Sequence, residues 1–131
     1  RVIVADTSAI VAVLLGEPEA AQFITLLSSE GDVWVSAMSD YEIRLVAFHR
    51  QGEAALADYQ SMADCGDIAI APFDARQAAV AFAAYRRFGK GNHAARLNFA
   101  DCASYALAKS LNAPLLFKGA DFARTDVRRA L

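Results

Sequence analysis

Short apolar runs alternate along this chain with longer stretches in which apolar residues recur at helical spacing. The short runs are rich in β-branched residues and end at charged, turn or proline residues, which is typical of buried strands. In the longer stretches apolar side chains repeat every three or four residues, as they do along one face of a helix. The pattern predicts four strands, at residues 2–5, 33–35, 68–71 and 115–117.

Turn and capping residues divide the longer stretches into helices. Gly16 and Gly52 interrupt the helical pattern, and Pro18 suits the first turn of a helix. Asp74 stands three residues before Gln77, which is a typical helix start. The predicted helices are 7–15, 18–29, 39–50, 53–64, 74–88 and 98–110, and a loop covers 89–93.

Strands that alternate with helices predict a particular fold class. Successive βαβ units give a parallel sheet with helices on both faces, which is a three-layer α/β/α sandwich. Pro72 directly follows the third strand, so that strand is expected near an edge of the sheet. Because no repeat, linker or low-complexity tract interrupts the pattern, we predict a single domain over residues 1–131.

Composition narrows the class of protein further. With 131 residues, of which 56% are hydrophobic, the chain can bury a core that needs no disulfide or structural metal. No apolar stretch reaches the ~18 residues of a membrane span, and no basic leader with a cleavage site is present, so we expect a cytoplasmic protein. Cys65 and Cys102 lack the spacing of a zinc or redox motif and are expected to be buried free thiols.

Four acidic residues fall where this fold would bring them together. They are Asp6, Glu42, Asp101 and Asp121. Two of them follow predicted strands, and the other two lie three residues after a candidate N-cap, Ser39 or Asn98. Two carboxylates ~5 Å apart repel by ~3 kcal/mol at an effective dielectric constant of ~20, which a divalent cation such as Mg²⁺ or Mn²⁺ relieves. The acids therefore predict metal-dependent chemistry on a phosphate backbone.

Each acid also has an ordinary structural explanation. Ser39 and Glu42 have the spacing of a capping box, so Glu42 could simply close a helix end. Asp101 could stabilise a helix dipole, and Asp121 could be a turn residue. Asp6 is the hardest to explain in this way, because an acid directly after a buried strand gains little without a ligand or backbone donors.

Positive charge is concentrated in one stretch, residues 75–100, which contains no acid. The net charge of −2 argues against a general nucleic-acid coat protein. Because the stretch leads directly to Asp101, its basic side chains could hold RNA phosphates beside the acids; those at the helix end could instead complement the helix dipole. The candidate phosphate-binding residues are Arg86, Arg87, Lys90 and Arg96.

Four segments, taken in order, carry a resemblance to a known family. They read VIVADTSA at 2–9, GEPEA at 16–20, LNFADC at 97–102 and LFKGADF at 116–122. Together they resemble the VapC-type toxins of the PIN-domain ribonuclease family, over essentially the whole chain. The resemblance implies a PIN-like, Rossmann-like sandwich and a Mg²⁺- or Mn²⁺-dependent endoribonuclease. Such a toxin cuts structured cellular RNA and inhibits translation until its antitoxin binds.

The resemblance also implies roles for individual residues. The acidic quartet of the family maps onto the same four acids, Asp6, Glu42, Asp101 and Asp121, as catalytic and metal-binding residues. Thr7 would be the hydroxyl that orients the first carboxylate or a metal-bound water. The implied partners are an RNA substrate, a second copy of the chain in a homodimer, and an antitoxin whose arginine-bearing tail blocks the acidic pocket.

Three other interpretations of the sequence compete with a ribonuclease function. A haloacid-dehalogenase-like phosphatase would place a second Asp two positions after the first, where this chain has Ser8. A phosphoreceiver module would need an acceptor Asp after the third strand, where Ala71 and Pro72 stand. A PIN-like module without activity would serve only as a protein-interaction surface, and the intact acids argue against it.

Overall fold

The computed structural model describes residues 1–29, 31–91 and 93–131. The strands are β1 (Val2–Ala5), β2 (Asp32–Ser36), β3 (Ala69–Ala71) and β4 (Leu115–Leu116). The helices are α1 (Thr7–Leu14), α2 (Ala20–Leu27), α3 (Ala37–Asp64), α4 (Ala75–Phe88) and α5 (Phe99–Ser110), followed by a 3-10 helix at Asp121–Arg124.

The described strands form one parallel sheet in the order β3-β2-β1-β4. β1 is therefore central, and β3 lies at an edge, as Pro72 predicted. The end of the chain runs beside β4, where Leu115 forms a parallel bridge with Arg129. The predicted α/β class with a central parallel sheet is confirmed.

Alternate residues of the strands pack against helices on opposite faces of the sheet. On one face Val4 and Leu115 join the apolar residues of α4 and α5. On the other face Ile3 packs with α1 and α2, and Val35 packs with α1 and α3. This alternation follows from the period of two along a strand, and it gives the three predicted layers. None of the helices described between residues 1 and 131, outside positions 30 and 92, has the length and apolar composition needed to cross a membrane.

Helix α3 differs from its prediction at its start. The predicted interruption at Gly52 is confirmed, because this residue adopts φ 68° inside the helix. The helix begins at Ala37, however, and its N-cap is Ser36, whose hydroxyl accepts the Met38 N–H at 3.3 Å. Ser39 lies inside the first turn and does not cap it. The prediction that Ser39 and Glu42 form a capping box is therefore wrong.

The two cysteines are in different environments. Both are free thiols, as predicted. Cys102 is buried in the apolar layer between α5 and the sheet, but Cys65 is exposed, so its predicted burial is wrong. Cys65 is the C-cap that follows α3, and a chain leaving a helix for an edge strand is covered by little other structure.

An ionic cluster fastens the end of the chain to α4 and α5. The carboxylate of Asp126 accepts hydrogen bonds from the Tyr105 hydroxyl, from Lys109 Nζ at 3.3 Å and from Arg87 Nη1 at 3.5 Å. The Tyr105 hydrogen bond, followed by the contacts with Lys109 and Arg87, lowers the pKa of Asp126. Asp126 and Arg87 therefore have a structural role.

Candidate metal centre

Asp6 lies at the carboxyl end of the central strand and is the N-cap of α1. The chain leaves β1 toward β2 on one side, whereas β4 pairs with β1 on the other side. The point between β1 and β4 is thus where the strand order reverses, which is the usual ligand position of open parallel sheets. The Asp6 N–H donates to Leu116 O at 2.9 Å and fixes the residue at this point.

Hydrogen bonds from Ser8 and Ser104 hold the Asp6 carboxylate. Oδ2 accepts from Ser8 N at 3.0 Å and from Ser8 Oγ at 2.7 Å, and Oδ1 accepts from Ser104 Oγ at 2.6 Å. Asp6 is only 3% exposed. Burial raises the pKa of Asp6, and the hydrogen bonds from Ser104 and Ser8 oppose that rise. The resemblance implied that Thr7 orients this carboxylate or a metal-bound water. In the structure the hydroxyls of Ser8 and Ser104 orient the carboxylate, and the role of Thr7 toward a water stays a prediction.

Glu42 approaches the same point from α3. It lies in the second turn of the helix and is half-buried. Burial raises the pKa of Glu42, the nearby Thr7 hydroxyl lowers it somewhat, and the charge of Asp6 raises it further. Because Ser36 caps the helix, Glu42 has no capping role that would account for a partly buried charge.

Asp101 reaches the site from the first turn of α5. The predicted N-cap Asn98 is confirmed, and it forms a capping box with Asp101: Asp101 N donates to Asn98 Oδ1 at 2.8 Å, and Asn98 N donates to Asp101 Oδ2 at 3.0 Å. Burial raises the pKa of Asp101 to about 7, and the charges of Asp6, Asp121 and Glu42 add to the effect. Asp101 therefore caps its helix and also belongs to a group of acids that repel one another.

Three of the four predicted acids share one cavity. Asp6, Glu42 and Asp101 line a cavity of about 210 Å³, together with Thr7, Ser8, Val11 and Val46. Asp121 is exposed at the start of the 3-10 helix and is not part of the cavity wall. Its charge nevertheless acts on Asp101, so it lies at the edge of the same group.

The donor set of this cavity suits a hard divalent cation. All of its polar side chains present oxygen atoms, which are the ligands that Mg²⁺ and Mn²⁺ prefer. Thr7 Oγ1 is buried close enough to Glu42 to lower its pKa, but it makes no hydrogen bond of normal geometry within the described chain, which leaves it open to a ligand. No three Asp, Glu, His or Cys side chains among the described residues already converge as metal ligands, and mutual repulsion favours such a separation. Binding a cation would draw the carboxylates together.

Comparison with known proteins identifies the family of this chain. A PIN domain family model matches residues 3–128. Ribonuclease VapC of Mycolicibacterium smegmatis is 43% identical over 124 residues, which cover 95% of this chain and 96% of that protein. The chain belongs to the VapC ribonucleases of the PIN domain family. Neither a phosphoreceiver module nor a haloacid-dehalogenase-like phosphatase is consistent with this membership.

Solved VapC structures share the fold of this VapC family member. VapC20 of Mycobacterium tuberculosis, a sarcin-ricin loop cleaving toxin, superposes with a TM-score of 0.80 at 18% identity, over 95% of each chain. A chain of a toxin-antitoxin complex from Klebsiella pneumoniae superposes with a TM-score of 0.70 at 18% identity, over 95% of this chain and 92% of that one. At these identities the likeness establishes the fold.

The basic residues of this VapC family member are divided between two places. Arg87 is held by Asp126 and stacks on Phe88, 4.6 Å from its ring centroid, and Arg86 is exposed beside it on α4. Lys90 and Arg96 line a cavity of about 550 Å³. No acid among the described residues lines that cavity, which distinguishes it from the smaller acidic one. Of the predicted loop 89–93, Asn92 lies outside the described residues.

The metal-free protein is expected to lose stability as the pH rises from about 4 to 7. In this range Asp101 holds a proton in the folded state but has lost it in the unfolded state, since its folded pKa of about 7 lies above its ordinary value of 3.8. Because Asp101 is partly exposed, solvent screens its charge, and we expect a loss of about 1 kcal/mol, or several degrees in Tm. Thermal unfolding in EDTA at pH 5 and pH 7.5 measures it.

Asp101→Asn provides the control for this pH dependence. The variant keeps a side chain that can accept a hydrogen bond at the capping position, but it does not titrate. If its stability changes with pH as steeply as that of the native chain, Asp101 is not responsible.

Proposed function

We propose that this chain is a Mg²⁺- or Mn²⁺-dependent endoribonuclease and the toxin of a toxin-antitoxin pair. It cuts structured cellular RNA and thereby inhibits translation. The observation that carries the proposal is that Asp6, Glu42 and Asp101 line one cavity at the reversal point of the sheet. Membership of the VapC ribonucleases supports RNA as the substrate class.

Asp6, Asp101 and Asp121 would hold the cation, with Glu42 contributing directly or through water. When bound, such an ion polarises a phosphoryl oxygen and lowers the pKa of a coordinated water. Asp6 is fixed by its hydrogen bonds, so it sets the position of the site. Asp121 is exposed at the edge of the cavity and would complete the ligand set from that side. The Thr7 hydroxyl, which is buried beside Glu42, is placed to orient a water there.

Basic side chains near α5 would hold the RNA backbone. Arg96 lies two residues before Asn98, the N-cap of α5, and it shares a cavity with Lys90. Phosphates bound there would place the adjoining phosphodiester near the acids at the start of the helix. Arg86 would extend this surface along α4, whereas Arg87 contributes less because it is engaged by Asp126. Binding of this kind weakens as the salt concentration rises.

An antitoxin and a second copy of the chain are the proposed protein partners. The acid-lined cavity complements an arginine side chain, whose guanidinium group forms bidentate hydrogen bonds with carboxylates. The fold shared with a chain of a toxin-antitoxin complex supports that assignment. For the homodimer, Phe82 and Phe99 are 62% and 70% exposed on helices that pack together, which gives an apolar surface suited to self-association.

Addition and removal of metal test the proposed function. Mg²⁺ or Mn²⁺ at about ten times its dissociation constant should add ~1.4 kcal/mol to the free energy of unfolding, because it binds only the folded state. The same addition should start the cleavage of a structured RNA, and EDTA should stop it. The purified chain is assayed by thermal unfolding and by gel analysis of the RNA. Stabilisation by metal without cleavage of any structured RNA would favour an inactive interaction module.

A further inference from the structure

A chain of buried serine hydroxyls leads to Asp6 from two helices that are distant in sequence. Ser104 on α5 donates to Asp6 Oδ1 at 2.6 Å, and the hydroxyls of Ser39 on α3 and Ser104 lie 3.0 Å apart. Both serines are 0% exposed. We call Ser39 and Ser104 the serine relay. It links α3, which carries Glu42, to α5, which carries Asp101.

The protons of these hydroxyls have only one arrangement when Asp6 is ionised. Ser8 Oγ accepts the Lys118 N–H at 3.0 Å, so its single proton points to Asp6 Oδ2. Ser104 must give its proton to Asp6 Oδ1, and Ser39 must then donate to Ser104. Every donor is thus directed toward the carboxylate. Such an ordered set holds a buried anion in one orientation and favours its ionised form.

Packing alone does not account for two hydroxyls at these positions. Ser104 is surrounded along α5 by buried alanines, including Ala103 and Ala106, and an alanine would fit the same space. The only hydrogen bonds made by the two relay hydroxyls in the described chain are to each other and to Asp6. A buried hydroxyl costs free energy unless it is paired, so the relay is consistent with a role at Asp6.

We propose that Ser104, supported by Ser39, is a positioning residue that fixes the Asp6 carboxylate for binding the divalent cation. This inference rests on the proposed function. Ser8 anchors Oδ2 from one side, and Ser104 anchors Oδ1 from the other. Without Ser104 the carboxylate is held through Oδ2 alone and can rotate about its terminal torsion. Binding of the ion would then also have to order the Asp6 carboxylate, which lowers the affinity for the ion.

Ser104→Ala should raise the Mn²⁺ concentration needed for half of the maximal rise in Tm by about tenfold or more, as expected when the partner of a metal ligand is lost. Thermal unfolding over a Mn²⁺ titration measures this midpoint without RNA. In cleavage assays at fixed Mn²⁺, kcat should fall while KM for the RNA stays within twofold, because Ser104 has no place on the RNA surface. Ser39→Ala should act in the same direction by a smaller factor.

Two comparisons separate positioning from packing. Ser110→Ala removes a hydroxyl from the exposed end of the same helix and should leave the midpoint unchanged. Since Ser39 acts only through Ser104, the double variant should have the same midpoint as Ser104→Ala; two independent packing losses would instead add. An Mn²⁺ midpoint of Ser104→Ala within twofold of the native value overturns the proposal. If Ser104→Ala does not fold, an unchanged midpoint in Ser39→Ala overturns it.

The proposed function and the serine relay can fail separately. If Mn²⁺ stabilises the native chain with a midpoint that depends on Ser104, but no RNA is cleaved, the serine relay proposal stands and the ribonuclease proposal is rejected. If the native chain cleaves RNA but Ser104→Ala does not change the Mn²⁺ midpoint, the ribonuclease proposal stands and the serine relay proposal is rejected. A native chain that no divalent cation stabilises rejects both.

Discussion

Asp6→Asn is expected to lower RNA cleavage by at least about 10³-fold while leaving the metal-free protein as stable as the native chain, or more stable. The loss corresponds to about 4 kcal/mol of transition-state stabilisation, which is within the several kcal/mol that a bound metal supplies. Stability should not fall, because the substitution removes a buried carboxylate whose pKa is raised by burial. Thermal unfolding in EDTA and RNA cleavage in Mn²⁺ measure the two effects.

The hydrogen bonds around Asp6 allow an asparagine to fit. Its Oδ1 can replace the carboxylate oxygen that accepts from Ser8 N and Ser8 Oγ. Its amide group can donate to Ser104 Oγ, provided that Ser104 then donates to Ser39. The serine relay permits this reversal, since either of its oxygens can be the donor. The amide therefore keeps the contacts of residue 6 paired and removes the charge; the Ser39 hydroxyl is then left without an acceptor among the described residues, and the removal of a buried charge offsets that cost.

Asp74→Asn is the matched control for Asp6→Asn. Asp74 is likewise an N-cap whose carboxylate accepts a backbone N–H, in this case from Gln77 at 2.9 Å, but it is exposed and lies outside the acidic cavity. The control should retain cleavage and the metal-dependent rise in Tm. A lower metal-free stability in Asp6→Asn, with cleavage retained, would mean that Asp6 is a structural aspartate.

The elements of the fold could be predicted because their signals are local. The strand β1 and the N-cap Asn98 each follow from a few neighbouring residues, and the structure places them as expected. Asp6 could be located because parallel strands end at a common edge of the sheet. The start of α3 was misplaced because Ser36 and Ser39 are both acceptable N-caps by local sequence, and packing selects the first.

The serines around Asp6 could not be predicted, because their partners are distant in the chain. Ser104 is 98 residues from Asp6, and Ser39 is 65 residues from Ser104. A serine within an apolar helix has no local pattern that separates an exposed hydroxyl from a buried donor. One signal was present: Ser104 stands three residues after Asp101, so the two share a side of α5. This spacing indicates that Ser104 lies near the site only once Asp101 is known to belong to it.

Glu42 is positioned by α3 and does not cap the helix. Its effect on cleavage can therefore be measured separately from any effect on the stability of the fold. The helix is capped by Ser36, and the neighbouring acid Asp40 is engaged by the Tyr59 hydroxyl at 2.7 Å and by Arg44 Nε at 3.3 Å. Asp40 therefore faces other partners and does not compete for the cavity. Glu42 lines the cavity with a carboxyl whose pKa is raised by burial and by Asp6, so its charge destabilises the metal-free fold.

Glu42→Gln is expected to reduce cleavage by about 10²-fold, the effect of losing one positioned charge in an active site, while Tm in EDTA stays unchanged or rises slightly. Gln has the same length and shape, and it relieves the repulsion with Asp6. The matched control is Glu53→Gln, which removes a carboxylate from an exposed position on the same helix and should leave cleavage unchanged. RNA cleavage at saturating Mn²⁺ measures the loss. Cleavage by Glu42→Gln within twofold of the native rate would remove Glu42 from the site, and the cation would then depend on the three aspartates alone.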